Sequence, residues 1–404
     1  MCAKSRETRE RLAREMDRIP LVSTHAHFEG AAPYESVDSF WKTTVLYQHL
    51  SGRWRPPVPD GGADTPMTPR SEEETHQHVF RVRMMVRVLQ ETFGYEEELL
   101  TRDGIAKILP RLNEIRGDDD VAAMHRTLDL ANIDVQVIDQ LALGQCTERL
   151  RTARRFENEL TWQQARKAGT SFDACLATRA DLVRAWAAEP AVATLKLPFA
   201  YVRTLNVTNP SEAEARSAYD TRTQDLDSVA QRTIEDFLIR HGLRQCSESG
   251  LPVQIHTGFG WSSGRPLRLA DADVGNLVPL FEDAAFRDVR FLIFHGSWPY
   301  TQTMGYLAAS FENVYLDFNC MVALSREMTG RALSEWLDVV PLHKMMTGTD
   351  GPYLEWWIAT ARETRRVLAE VLEHKVSQGL YSEETALDAA RAILNGNARE
   401  ALDL

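Results

Sequence analysis

The chain reads as an α/β protein: a (β/α)8 barrel with a long helical insertion after its first strand. Three observations predict this. Short apolar, β-branched runs recur along the chain, as expected of strands buried on both faces of a parallel sheet. Amphipathic helical stretches lie between them. Histidine or aspartate stands where several of the runs give way to loops, and in a barrel all such strand ends open at one mouth. The 404 residues suffice for one barrel over 1–404, with residues 31–120 as the insertion.

Taken in order, the predicted strands are Leu21–Ser23, Val135–Ile138, Phe172–Leu176, Thr194–Leu197, Pro252–Ile255, Val289–Phe294, Val314–Phe318 and Lys344–Thr347. Helical patterns at Ser228–His241 and Trp356–Leu372 place apolar residues on one face. Roughly 110 residues separate the first two strands, far more than one crossover needs. That stretch holds an aromatic segment (Phe40, Trp41, Tyr47), a Pro/Gly-rich loop from Pro56 to Pro69, and a helical pattern from Glu72 through Leu100. An insertion after a barrel strand emerges at the catalytic end, so a lid or pocket wall is expected; a helical cover over the barrel is the plainer alternative. Near the carboxyl end, Ser382 is placed to cap a helix opening with Glu383 and Glu384. Asn395-Gly396 reads as its stop, and Asn397 as the cap of a last short helix.

Composition excludes several classes. Lys+Arg number 46 against 58 Asp+Glu, a formal charge of −12, and no basic block stands out. That leaves no nucleic-acid footprint and no basic membrane face. The five cysteines are scattered and never spaced C-x-x-C, which argues against a disulfide framework and for a reducing compartment. The charged first residues lack the apolar core of a secretory signal, and no run is long enough to span a membrane. A cytoplasmic protein is expected, acting on a small molecule. A homo-oligomer is left open.

Thr24-His25-Ala26-His27 follows the first apolar run. Residues i and i+2 of a strand point to one side, so two imidazoles can meet one ion. His76-Gln77-His78 has the same spacing in a helical pattern, where such residues splay roughly 200° apart; it reads as surface or lid. His256 ends Pro252-Val253-Gln254-Ile255, His295 ends the run to Phe294, and Asp350 follows Met345-Met346-Thr347-Gly348-Thr349. One such histidine is more often structural than a ligand. The cluster carries the argument. Lys196 sits inside the predicted fourth strand, where a charge facing the barrel centre needs a reason. Carbamylation by CO2, giving an anionic bridge between two metals, is one; an ion pair or a snorkelling side chain is the other.

With these residues in order, the chain resembles the amidohydrolase superfamily: His-x-His on strand one, Lys on strand four, His on strands five and six, Asp on strand eight. Val253–Gly260, Phe294–Tyr300, Val314–Phe318, Gly305–Ala308 and Ile393–Ala398 resemble the amidohydrolase-2 branch, which includes barrels fused to glutamine synthetase-like domains in plants and fungi. Lys196 followed by Tyr201 and Arg203 extends the likeness, although that branch has Tyr and Arg adjacent and here Val202 intervenes. The likeness covers residues 18–30 and 120–404 and leaves the insertion unexplained.

The resemblance implies one or two divalent cations, Zn2+ first, on His25, His27 and His256. Lys196, if carbamylated, and His295 would complete a second site, with Asp350 as weak ligand and general base. Mn2+ and Fe2+ suit the same ligand types. Tyr201 and Arg203 are candidates to grip a substrate carboxylate. Trp298 and Tyr300 are candidate pocket walls with Phe259 and Trp261, though each aromatic taken singly is more often packing. The expected activity is hydrolysis of an amide, ester or lactone in a small polar, carboxylate-bearing substrate by a metal-activated water, with Asp350 and His295 catalytic. The alternative is metal-dependent decarboxylation or sugar-acid isomerisation on the same barrel. A scaffold on a degenerate barrel is disfavoured by the intact ligand set.

Overall fold

The computed structural model describes residues 3–41, 77–156, 162–221, 228–262 and 265–404. Eight parallel strands run in chain order around one sheet: β1 (Leu21–Ala26), β2 (Ile133–Asp139), β3 (Leu150–Arg155), β4 (Val192–Leu197), β5 (Val253–Ile255), β6 (Phe291–Ile293), β7 (Val314–Asp317) and β8 (Met345–Met346). Backbone hydrogen bonds from Thr24 to Thr347 (3.2 Å) and from Asp350 to His25 (2.9 Å) join the first strand to the eighth. The sheet curls into a (β/α)8 TIM barrel.

Sequence alternation explains what faces where. Phe291 and Ile293 of β6, and Val314 and Leu316 of β7, pack outward with the helices. Leu292, Phe294 and Tyr315 belong instead to a second cluster with Val22, Val135, Ala153, Ala193 and Met346. That cluster fills the barrel interior. Side chains buried on both faces account for the unbroken apolar runs in the sequence.

The third strand differs from expectation. Phe172–Leu176 opens a helix, Phe172–Ala188, whose N-cap Ser171 accepts from the Ala174 amide. The strand in that position is Leu150–Arg155, a Leu-Arg-Thr-Ala-Arg-Arg segment with no apolar run to announce it. Only a short 3-10 turn, Leu143–Gln145, interrupts the β2–β3 connection, so the expected helix is missing from this crossover. The carboxyl end differs too. Ser382 does cap Glu383–Arg391. Gly396, however, has helical φ −60, and the chain passes through a π-turn, Ala392–Gly396, into Asn397–Leu402. The Asn397 side chain donates to the carbonyls of Leu342 and Met345, both at 2.7 Å, rather than capping its own helix.

The described part of the insertion contributes helices Val37–Phe40, Phe80–Phe93 and Arg102–Glu114 before Asp120–Ala131 leads into β2. The helix predicted from Glu72 starts at Phe80 and stops at Gly94, whose φ of 73 suits a residue without a Cβ. Tyr47, Pro56–Pro69, Glu72 and His76 lie outside the described residues. Helix Phe80–Phe93 packs on Leu354–Ser377, the long helix after β8, which also meets Ala3–Asp17, Asp120–Ala131 and Arg326–Val339. Being covered on several sides, that helix buries Trp357, Ile358, Leu368 and Leu372 together. The four described cysteines form no disulfide. No described helix is long and apolar enough to cross a membrane.

Candidate metal centre

The candidate metal centre grows from the seam between β1 and β8. His25 is a buried residue of β1 and His27 lies just past its end. The loop after β8 is pinned to them: the Asp350 amide donates to His25, and the His27 amide donates to Gly351 (3.1 Å). The two segments approach so closely that a Cβ on Gly348 would sit 2.7 Å from the His25 nitrogen and 2.8 Å from Thr24 Oγ1. Glycine is required there. Asp350 itself adopts φ 48, an arrangement that Asp tolerates better than most residues. It is steadied by the Gly351 amide at 2.8 Å on Oδ1.

The i, i+2 spacing brings the two imidazoles together. His25 Nε2 and His27 Nε2 stand 3.3 Å apart, and Asp350 Oδ1 lies 3.6 Å from His27 Nε2. One ligand atom from each of His25, His27 and Asp350 falls within 4.8 Å of the others. Two imidazole lone pairs and a carboxylate facing one point suit a divalent cation, and that donor set fits Zn2+, Mn2+ or Fe2+ alike. Lys196 Nζ lies 3.4 Å from His25 Nε2 and 3.9 Å over the Phe294 ring. His256 and His295 come from β5 and β6 as expected but meet each other, His295 Nε2 to His256 Nδ1 at 2.9 Å. His256 Nε2 faces the Phe259 carbonyl at 2.9 Å. His295 Nδ1 lies 3.3 Å from the Asn319 carbonyl and 3.8 Å from Asp350 Oδ2. The five strand ends therefore meet at one mouth, with three residues around a common point and the other two histidines paired beside them.

Burial and neighbouring charge decide the protonation states. Burial, then the Lys196 cation, holds His25 well below the usual histidine range. Burial, then His295, does the same to His256. Burial takes His295 to about 4 against the pull of Asp350. His27 is lowered by burial while Asp350 and Asp139 oppose the shift. All four are thus neutral imidazoles at neutral pH. Burial brings Lys196 down to about 8, so a free amine is accessible. Burial pushes Asp350 up, yet His295, His27 and Lys196 together outweigh it and keep it ionised.

Three residues at the mouth escaped the sequence reading. Asp139, closing β2, places Oδ2 3.5 Å from His27 Nδ1. Arg155, closing β3, holds that carboxylate through Nε at 2.9 Å from Oδ2 and 3.2 Å from Oδ1. Asp317, closing β7, accepts from Thr24 Oγ1 and from the Asn319 amide, and burial raises it to about 7. An acid after an apolar run was the available signal for Asp139 and Asp317, the same one that marked Asp350.

The predicted substrate-binding residues divide. Tyr201 lies against His256, ring centroids 4.2 Å apart, and Trp298 packs edge-on to Phe259 at 5.8 Å; Phe259 in turn covers His295. Arg203 is directed elsewhere: its guanidinium pairs with the buried Asp236, with Glu235 at 3.3 Å, and only 11% of its side chain is exposed. Tyr300 lines a separate cavity of about 480 Å³ with Gln302, Met328, Arg331 and Glu335, apart from the ligand cluster. His78 is exposed in the turn before helix Phe80–Phe93.

Protein fluG of Emericella nidulans is 32% identical over 232 residues, 54% of this chain, and the chain spans only 26% of fluG's length. Glucuronate isomerase of Caulobacter crescentus superposes with a TM-score of 0.74 at 16% identity, over 99% of this chain and 95% of that one. A candidate metal-dependent hydrolase of Lactobacillus casei gives a TM-score of 0.71 at 16% identity, covering 97% of each chain. At those identities the two structures speak to the fold. Residues 154–404, well over half of the chain, match the amidohydrolase family and carry Lys196, His256, His295 and Asp350; the chain belongs to the amidohydrolase superfamily of metal-dependent TIM-barrel enzymes.

Proposed function

We propose that this enzyme hydrolyses an amide, ester or lactone bond in a small carboxylate-bearing substrate, with one divalent cation held by His25, His27 and Asp350. The convergence of those three side chains supports the reading. A cation bound there would supply Lewis-acid polarisation of the scissile carbonyl and acidify a water. The chain's own residues carry the rest. Asp350, ionised and facing His27 and His295, takes the proton of the attacking water and returns it to the leaving group. Lys196, buried beside His25, holds substrate oxygen through its N–H donors once the His25 Nε2 lone pair is turned to the cation. Phe259 and Trp298 form an apolar wall over His295, which lowers the local dielectric and strengthens these contacts.

A second reading, metal-dependent decarboxylation or isomerisation of a sugar acid, uses the same single-point site and gains from it, since one ion without a bridging carbamate on Lys196 suffices for that chemistry. In the isomerisation, Asp350 and the His256–His295 pair would move protons between adjacent carbons and hydroxyls. Isotopes separate the two. Turnover in H2(18)O labels the product carboxyl if the reaction is hydrolysis. Turnover in D2O that places deuterium on a substrate carbon, with no oxygen label, replaces hydrolysis by the second reading. Loss of turnover after chelation, with recovery on adding Zn2+ or Mn2+, is expected in both cases; a chelated protein of full activity would refute the metal requirement.

A further inference from the structure

We propose that Asp139, gripped by Arg155, is the positioning residue that fixes the orientation and tautomer of His27, and that the pair therefore sets the metal affinity of the site. The inference rests on the reading of His27 as a ligand and goes beyond it to two residues on other strands. His27 has two ring nitrogens with different tasks. Nε2 faces His25 and Asp350, where a cation needs its lone pair. The proton must then sit on Nδ1, and Asp139 Oδ2 is the carboxylate oxygen that faces it, at 3.5 Å. The opposite tautomer would aim N–H at the other ligands and leave a lone pair facing a carboxylate.

Asp139 is built for this task. Its side chain is 1% exposed although it stands at the barrel rim. Both carboxylate oxygens are engaged by Arg155, which fixes the plane of the group. The β2–β3 register sets Asp139 opposite Ala153. The next residue, Gln140, turns to φ 58 and donates its amide to Ala153 at 2.9 Å, so the carboxylate is locked where the strand ends. A rim salt bridge serving stability alone would have no need to point at an imidazole of the ligand cluster. Carboxylates that orient ligand histidines typically change metal affinity by about 10–100-fold when removed.

Metal affinity of the full chain, stripped with chelator and titrated with Zn2+ against a competing dye, tests this without reference to turnover. Asp139→Asn is expected to weaken Zn2+ binding by about 10–100-fold and to alter the visible spectrum of the Co2+-loaded protein, with far-ultraviolet circular dichroism unchanged. Arg155→Met should act in the same direction by a smaller factor, and it decides the matter if Asp139→Asn fails to fold. Asp129→Asn, at an exposed carboxylate paired with Arg149, should leave affinity untouched. Wild-type affinity and an unaltered Co2+ spectrum in a folded Asp139→Asn protein would overturn the brace alone. A wild-type chain that binds no Zn2+, Mn2+ or Co2+ would overturn both the brace and the metal-centre reading.

Discussion

Asp350 occupies a left-handed backbone position at φ 48, and Asn is among the few residues that tolerate that region. Asp350→Asn therefore preserves the loop while removing the carboxylate's basicity. The expected result is a folded protein that still takes up metal, with turnover reduced by about 10²–10⁴-fold. Full turnover of the variant would exclude Asp350 as general base. Lys196 poses a different question, because burial brings it to about 8 and both amine and carbamate chemistry become accessible. The ligand geometry predicts one tightly bound ion per chain and retention of that ion in Lys196→Met. Elemental analysis showing two ions in the wild type and one in the variant would instead establish a bridging carbamate. At this scale much was legible: His25, His27, Lys196, His256, His295 and Asp350 each announce themselves as a polar group within or after a buried run. Arg203 was not, because its partner Asp236 lies on helix Ser228–Ser249. Sequence gives no measure of which of two arginine targets, a distant helix or a substrate, is nearer in space.

Elements fared unevenly for physical reasons. β3 is a strand by its pairing with β2 and β4, and its Arg-rich sequence carries the rim residue Arg155. Tertiary context overrides local propensity there. The insertion is anchored in a way no local pattern could reveal. Arg116, just before Asp120–Ala131, donates to both oxygens of Glu355 at 3.0 and 3.2 Å and to the Tyr34 hydroxyl at 3.0 Å. Tyr34 also donates to Glu355 at 3.1 Å. Glu355 lies in the first turn of the long helix after β8, so this buried set of partners ties the insertion to the barrel. Glu355→Gln leaves the Arg116 cation without its counter-charge, in a site where the two side chains are 5% and 0% exposed. A loss of about 3–5 kcal/mol in urea denaturation is expected. A loss below about 1 kcal/mol, the range of a surface pair, would show that water reaches Arg116. Gly348→Ala should also destabilise, by about 1–3 kcal/mol, because its Cβ would meet the His25 backbone.

For the whole molecule, the four site histidines make the metal-free protein acid-sensitive. An unfolded histidine takes up its proton near pH ~6.5, whereas His25, His256 and His295 are buried and hold lower values, about 4 for His295. Between those limits the unfolded chain binds more protons than the native one, so stability falls as pH falls, on the order of 1.4 kcal/mol per pH unit for each such group. His27 shifts the same way but contributes less, its side chain being 36% exposed. Asp317 opposes them: raised to about 7, it is protonated in the native chain while an unfolded aspartate is ionised down to pH ~3.9. Three well-buried histidines outweigh one aspartate, and the net slope keeps the histidine sign. Urea midpoints of the chelated chain should therefore drop between pH ~7.5 and ~5.5. Bound cation should restore about 2.7 kcal/mol when its concentration is a hundredfold above Kd, and the restoration should shrink as protons compete for the same imidazoles. A chelated chain whose midpoint stays level over that interval would mean that the histidines are not held neutral together, and the ligand set would have to be drawn without them.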